Sequence, residues 1–180
     1  MAQPNPADVI EAVKDLPTSG VLAQDGYTGM VYLDLEDAWV FKALEVLEDF
    51  GYISPFSPFF LLPPVPLGAH VKIISEREAV DYELVGEREG KIPGLLGKIV
   101  DFKVVDAEPI TINEVTWYVI KVESPELNKI RKDLTGLPPP ADLGFCITVC
   151  PQCPTTTHLA CGCPTTCDDC RRIIEEDENE

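Results

Sequence analysis

Residues 62–74 read LPPVPLGAHVKII, and residues 137–149 read LPPPADLGFCITV. With one single-residue gap the two phrases align as Leu-Pro-Pro, a short link, Leu-Gly and an apolar strand. His70 then falls opposite Cys146, and Lys72 opposite Thr148. Self-similarity of this kind marks a duplicated supersecondary unit. Side chains two apart on a strand share a face, so His70 and Lys72 look one way, as do Cys146 and Thr148. Two such units set these four residues about a pseudo-twofold axis, and the repeat is therefore a site hypothesis as well as a fold hypothesis.

Working outward from the first copy, residues 29–35 (GMVYLDL) alternate and are aromatic and β-branched, which reads as a strand. The stretch from Asp37 to Tyr52 carries Trp39, Leu44, Leu47 and Phe50 at roughly helical spacing, with Gly51 as its stop. A proline-rich loop over residues 54–66 leads into a strand over residues 69–75. Before the second copy, residues 97–110 and 114–124 read as two strands about a turn near residues 112–114. Ser124 is a helix cap, Pro125 a first helical position, Glu126 a first-turn acid and Gly136 a stop. The order strand, helix, loop, strand occurs twice. It predicts an α+β fold in which two pseudo-symmetric β-α-β lobes form a concave antiparallel sheet, with the helices outside.

The remaining segments frame that domain. Residues 1–28 read as a capping segment with a short helix over residues 7–16 ended by Pro17, and residues 29–149 as the two-lobed domain. Residues 150–170 form a cysteine-rich module and residues 171–180 an acidic, disordered tail. KIPGLLGK (91–98) has glycines without phosphate-loop spacing. Trp39 and Trp117 lie in periodic apolar segments and read as core.

Composition narrows the function class. The chain has 180 residues, 45% hydrophobic and 25% charged, with a formal net charge of −17. That field repels long polyanions, so extended nucleic-acid binding is not expected. A small anion in a local pocket remains compatible with it, because the global field is screened by salt. The start of the chain lacks a basic region followed by a long apolar run. The apolar stretch FSPFFLLPPVPL is too short and too rich in proline to span a bilayer. A cytoplasmic protein without a membrane partner is the expectation.

The paired strand motifs and the order of elements over residues 29–150 resemble the two-histidine phosphoesterase superfamily. That superfamily includes RNA ligase-like cyclic phosphodiesterases and RNA-repair relatives. The resemblance implies metal-independent hydrolysis of a cyclic phosphate or phosphodiester of a small nucleotide or RNA end. One histidine would act as base and the other as acid, while two hydroxyl residues hold the phosphate. Carried over, His70 takes one acid/base role and Thr148 one phosphate-binding role. Lys72 stands where a hydroxyl is expected, and an ammonium still binds phosphate. Cys146 stands where the second histidine is expected. A thiol near pKa 8.5 is a poor donor to an alkoxide, so the implied enzyme is impaired or only binds its ligand. Taken singly, His70 also reads as a hydrogen-bonded structural histidine and Cys146 as a small buried hydrophobe. A covalent role for Cys146 with His70 as its base is a further reading.

At the C-terminal end, Cys150-x2-Cys153 and Cys167-x2-Cys170 have the arrangement of a structural four-cysteine zinc site. His158, Cys161 and Cys163 lie between the pairs as spare ligands. A zinc knuckle, a zinc-bound docking module for a partner protein, and disulfides are the readings in that order. The expected cofactor is therefore structural zinc, with none for catalysis.

Overall fold

The computed structural model describes residues 3–55, 68–86, 91–112, 115–141 and 143–152. In chain order the helices are α1 (Pro6–Val13), α2 (Ala38–Leu47), α3 (Glu76–Asp81) and α4 (Pro125–Thr135). The strands are β1 (Ser19–Gln24), β2 (Val31–Asp34), β3 (His70–Ile74), β4 (Ile99–Asp101), β5 (Lys103–Ile112), β6 (Val115–Glu123) and β7 (Phe145–Pro151). The strands form one sheet in the order β4-β1-β2-β3-β7-β6-β5. Every pairing in it is antiparallel. The α+β class and the antiparallel sheet are as the sequence predicts.

The elements begin and end where local chemistry says they should. Ser124 accepts the N–H of Leu127 at 3.3 Å, Pro125 follows at the first helical position, and Gly136 ends α4 at φ 72°. The helix from Ala38 passes into a 3-10 turn (Glu48–Phe50) and stops at Gly51, φ 81°. Its inner side buries Trp39, Val40, Ala43 and Leu47, and each large side chain so buried contributes about 1.5–3 kcal/mol. Asn5 caps α1, accepting the Ala7 N–H at 3.2 Å.

One face of the sheet is the core. Leu22, Leu33, Val71, Ile73, Ile120, Val122 and Ile147 point to it and are buried. Against the sheet, α2 packs on β7, α4 on β3 and β4, and α1 on α2 and β5. The alternate residues Tyr32, Asp34, His70, Lys72, Lys121, Cys146 and Thr148 are half-buried or exposed. Polar side chains at period two on the central strands thus share the face that the helices leave open.

Three elements differ from the sequence reading. Residues 19–24, assigned to the capping segment, form β1 between β2 and β4. Gly20 lets it approach β2: a Cβ there would meet the Asp34 carbonyl oxygen at 2.5 Å. The stretch after β3 folds as α3 through a reciprocal capping box, Ser75 accepting from Glu78 N and Glu78 accepting from Ser75 N. The segment from Gly97 to Ile110, read as a single strand, breaks at Phe102. Phe102 turns into the core against Trp39, with ring centroids 5.6 Å apart, and its N–H donates to the Thr18 carbonyl at 2.9 Å. Its two halves are β4 and β5, which occupy opposite edges. One residue therefore joins the two edges, and the sheet is curled into a half-barrel.

At the other end of the sheet, β7 runs past its expected stop at residue 149. The Pro151 carbonyl accepts from Ile53 N at 2.9 Å, and Gln152 pairs with Tyr52. The cysteine-rich module beyond Gln152 and the acidic tail lie outside the described residues. Among the described residues no helix is long and apolar enough to cross a membrane.

Candidate functional site

The repeated Leu-Gly has a shared geometric role. Gly68 and Gly144 both take left-handed backbone, at φ 78° and 62°, each two residues before the residue the repeat singles out. At Gly68 a Cβ would lie 2.4 Å from Asp37 Oδ1, and that same oxygen accepts the Ala69 N–H at 3.0 Å. The chain thereby enters β3 with His70 on the open face.

The two central strands meet at Val71 and Ile147. About that pair, antiparallel register sets His70 opposite Thr148 and Lys72 opposite Cys146. His70 and Cys146 are then diagonal neighbours, about 7–8 Å apart at the backbone. The flanking ladders extend these rows. Asp34 pairs with His70 and Tyr32 with Lys72 on β2; Lys121 pairs with Cys146 and Val119 with Thr148 on β6. All four residues predicted from the repeat are brought together on one face. Tyr32, Asp34 and Lys121 join them; sequence reasoning assigned none of the three to the site, reading Asp34 as a carboxylate expected near a helix start. The available signal was the isolated polar residue in each otherwise apolar strand.

Electrostatics divide the roles. His70 Nδ1 lies 2.8 Å from the Gly68 carbonyl oxygen, which fixes the hydrogen on Nδ1 and leaves the Nε2 lone pair free. The Tyr32 ring meets the imidazole edge-on, centroids 5.7 Å apart. Burial lowers the His70 pKa below its usual 6.5, against the Gly68 carbonyl, and Lys72 lowers it further while Glu76 and Asp34 oppose the shift. At neutral pH this is a neutral imidazole whose free nitrogen accepts a proton.

Cys146 is half-buried, and burial raises its thiol pKa. A hydrogen bond from Thr148 and the charges of Lys72 and Lys121 work in the opposite direction without overcoming it. A thiol raised in this way is a weaker acid than a free cysteine and is scarcely ionised at pH 7. Lys72 is paired with Glu76 at 3.2 Å and Lys121 with Glu108 at 2.5 Å. The face therefore holds one base, the hydroxyls of Tyr32 and Thr148, the Asp34 carboxylate and two paired lysines about a thiol that stays protonated at neutral pH, which suits holding a phosphate better than a paired acid–base reaction.

Of the expected zinc ligands, only Cys150 lies among the described residues, and it sits in the core. A bulge between Tyr118 and Val119 pairs Cys150 with Tyr118 and turns its side chain inward with the tyrosine. It is fully buried, and burial alone pushes its thiol up to about 12. Tyr52 and Tyr118 meet edge-to-face beside it, at 5.5 Å. Cys150 thus packs in the core among the described residues. Cys153, Cys167 and Cys170 lie outside the described residues. Among the described residues no three His, Cys, Asp or Glu side chains are grouped as a metal site.

No protein-family model, curated protein or solved structure matches the chain. The functional reading therefore rests on the face described above.

Proposed function

We propose that this protein binds the phosphate of a cyclic phosphate or phosphodiester carried by a small nucleotide or an RNA end, on the open face of β3 and β7. The antiparallel pairing of Val71 with Ile147 carries the reading, because it gathers His70, Lys72, Cys146 and Thr148 on one face. A pseudo-twofold axis through that pair exchanges His70 with Cys146 and Lys72 with Thr148, as the internal repeat requires. The finer expectation belongs to the same proposal: two pseudo-symmetric lobes about a concave face, β1 to β4 with α2 and β5 to β7 with α4. The packing of α2 on β7 and of α4 on β3 and β4 supports it, since each unit lends its helix to the other.

In this reading His70 Nε2 takes the proton of an attacking water or hydroxyl, while Lys72 and Thr148 hold the phosphate oxygens. The leaving oxygen then needs a proton, and the raised Cys146 thiol is a poor source of one. General acid–base help of this type is worth about 10²–10⁴-fold. The chain is therefore a binding protein, or a phosphodiesterase slowed by that factor. The cysteine-rich segment is proposed as a zinc module for docking a partner protein. With Cys150 in the core, Cys153, Cys167 and Cys170 would be completed by Cys161, Cys163 or His158.

The test is hydrolysis and binding of a panel of cyclic nucleotides and cyclic-phosphate-ended RNAs by the wild type and by Cys146→His. The reading expects a gain of about 10²–10⁴-fold in kcat/KM that His70→Ala removes. Absence of both turnover and binding in both proteins overturns it.

A further inference from the structure

The two rows of the site face extend beyond the repeat motifs on β3 and β7, by one strand on the β2 side and by two on the other. Across β2, β3, β7, β6 and β5, one row runs Tyr32, Lys72, Cys146, Lys121, Asp106. The adjacent row runs Asp34, His70, Thr148, Val119, Glu108. Neighbouring strands lie about 4.8 Å apart, so Lys72 and Lys121 straddle Cys146 with their backbones about 10 Å apart. Two four-carbon stems rising from those positions bring both ammonium groups within reach of one anion above the thiol.

We propose that Lys121 is the second cation of this anion-binding face, and that Glu108 is its internal competitor. The proposal deepens the phosphate reading above and rests on it for the identity of the anion. Glu108 holds Lys121 at 2.5 Å, as Glu76 holds Lys72 at 3.2 Å, so each lysine is already neutralised on its outer side in the free protein. An incoming anion draws the two ammonium groups off their carboxylates and toward the space between them. Both lysines also act on the Cys146 thiol, favouring its ionised form, which makes that sulfur a reporter placed between them. In a chain of net charge −17, Lys72 and Lys121 are the cations beside Cys146, and the carboxylates of Asp34, Asp106, Glu76 and Glu108 lie about them, so the attraction is confined to the space between the two ammonium groups. A ligand carrying two or more negative charges gains from both cations at once, so a cyclic phosphate or diester that bears a further phosphoryl group, as an RNA end does, is favoured over one with a single charge.

The Cys146 thiolate supplies a test that needs no substrate. Its displacement of iodide is timed with anionic iodoacetate and with neutral iodoacetamide, each read by mass spectrometry on the Cys146 peptide. The ratio of the two rates reports the local potential and is independent of how far the thiol is ionised. Cys150 is the control for folding, because a core thiol is labelled only if the variant opens. Relative to free cysteine, the wild-type ratio is expected to be raised. It should fall about three- to five-fold in Lys121→Ala and rise by a similar factor in Glu108→Gln, the range of a partly screened charge at this distance. Binding of inorganic pyrophosphate by calorimetry should follow the same order, tighter in Glu108→Gln and weaker in Lys121→Ala. Ratios unchanged across the three proteins overturn the proposal. So does a Cys146 that takes neither reagent, since the face would then not admit a small anion. The predicted ratios together with no binding of any phosphate ligand keep the cationic row and remove the phosphoesterase reading. Phosphate binding indifferent to both substitutions does the reverse.

Discussion

The Gly68 carbonyl oxygen lies 2.8 Å from His70 Nδ1, and this contact joins the backbone turn into β3 to the protonation state of the site. Because Gly68 is left-handed at φ 78°, the conformation is open to glycine and strained for other residues. Gly68→Ala should cost about 1–3 kcal/mol in urea unfolding. It should also shift the His70 ring nitrogens toward a mixture of tautomers by 15N NMR. An Nδ1–H tautomer unchanged in the variant would show that the imidazole is fixed by something else.

The lowered pKa of His70 has a defined sign. The folded state favours the neutral ring, so the stabilisation is fully present above the unfolded value of about 6.5. It is lost as the pH falls from there through the lower folded value. In a His158→Gln background, where His70 is the sole histidine, its ring proton should titrate below pH 6.5 by NMR. Titration above 6.5 contradicts the burial argument.

Arg131 is buried in a second network, away from the site face. Its guanidinium donates to the Ile73 and Pro138 carbonyls, each at 2.7 Å, and to Glu78 at 2.6 and 2.9 Å. The hydrogen bond from Arg131 is the main reason the Glu78 pKa is lowered to about 2. Its contribution is therefore complete above pH 4.5 and disappears as the pH falls toward 2. Arg131→Met, which also strips two buried carbonyls of their donor, should cost about 3–5 kcal/mol in urea unfolding at pH 7. Glu78→Gln should cost less, and the gap between wild type and Glu78→Gln should close on acidification.

Tyr52 and Tyr118 bury their hydroxyls without a hydrogen-bond partner among the described residues. A buried hydroxyl left unpaired costs about 1–3 kcal/mol. Tyr118→Phe should therefore hold or raise stability, by up to about 1 kcal/mol after loss of packing contacts, as read by thermal unfolding. A loss of more than about 1 kcal/mol would mean that the hydroxyl is satisfied in solution.

The fold was legible where local chemistry and periodicity agreed. The Ser124 cap, Pro125 and Gly136 framed α4, and Trp39 with Leu47 outlined α2, because each signal lies within one helical turn of what it controls. That His70, Lys72, Cys146 and Thr148 share one face was legible for a different reason: the repeat carried the left-handed glycine and its following strand twice. What stayed hidden depended on distant partners. β1 has few strong strand formers, and its identity comes from β2 on one side and β4 on the other. The break at Phe102 needs Trp39 to receive the ring, and nothing in residues 97–110 announces it. Lys121 gains meaning only when β6 is laid against β7 in register. Cys150 reads from its spacing as half of a metal-binding pair, and only the bulge at Tyr118 shows that its side chain is buried in the core.

Phe102 joins the two outermost strands of the sheet, and this bears on how the molecule assembles. The strands that build the site come from opposite halves of the chain, and the hinge between the halves completes both margins at once. Each half carries its own run of strands, β4-β1-β2-β3 and β7-β6-β5, and among the described residues β3–β7 is the one ladder that joins them, a long-range closure of the kind that forms slowly. His70 and Cys146 become neighbours only after such a closure. A truncated or nascent chain would carry both residues yet lack the row that relates them. A ligand held on this face, as proposed, would report completed folding as much as affinity.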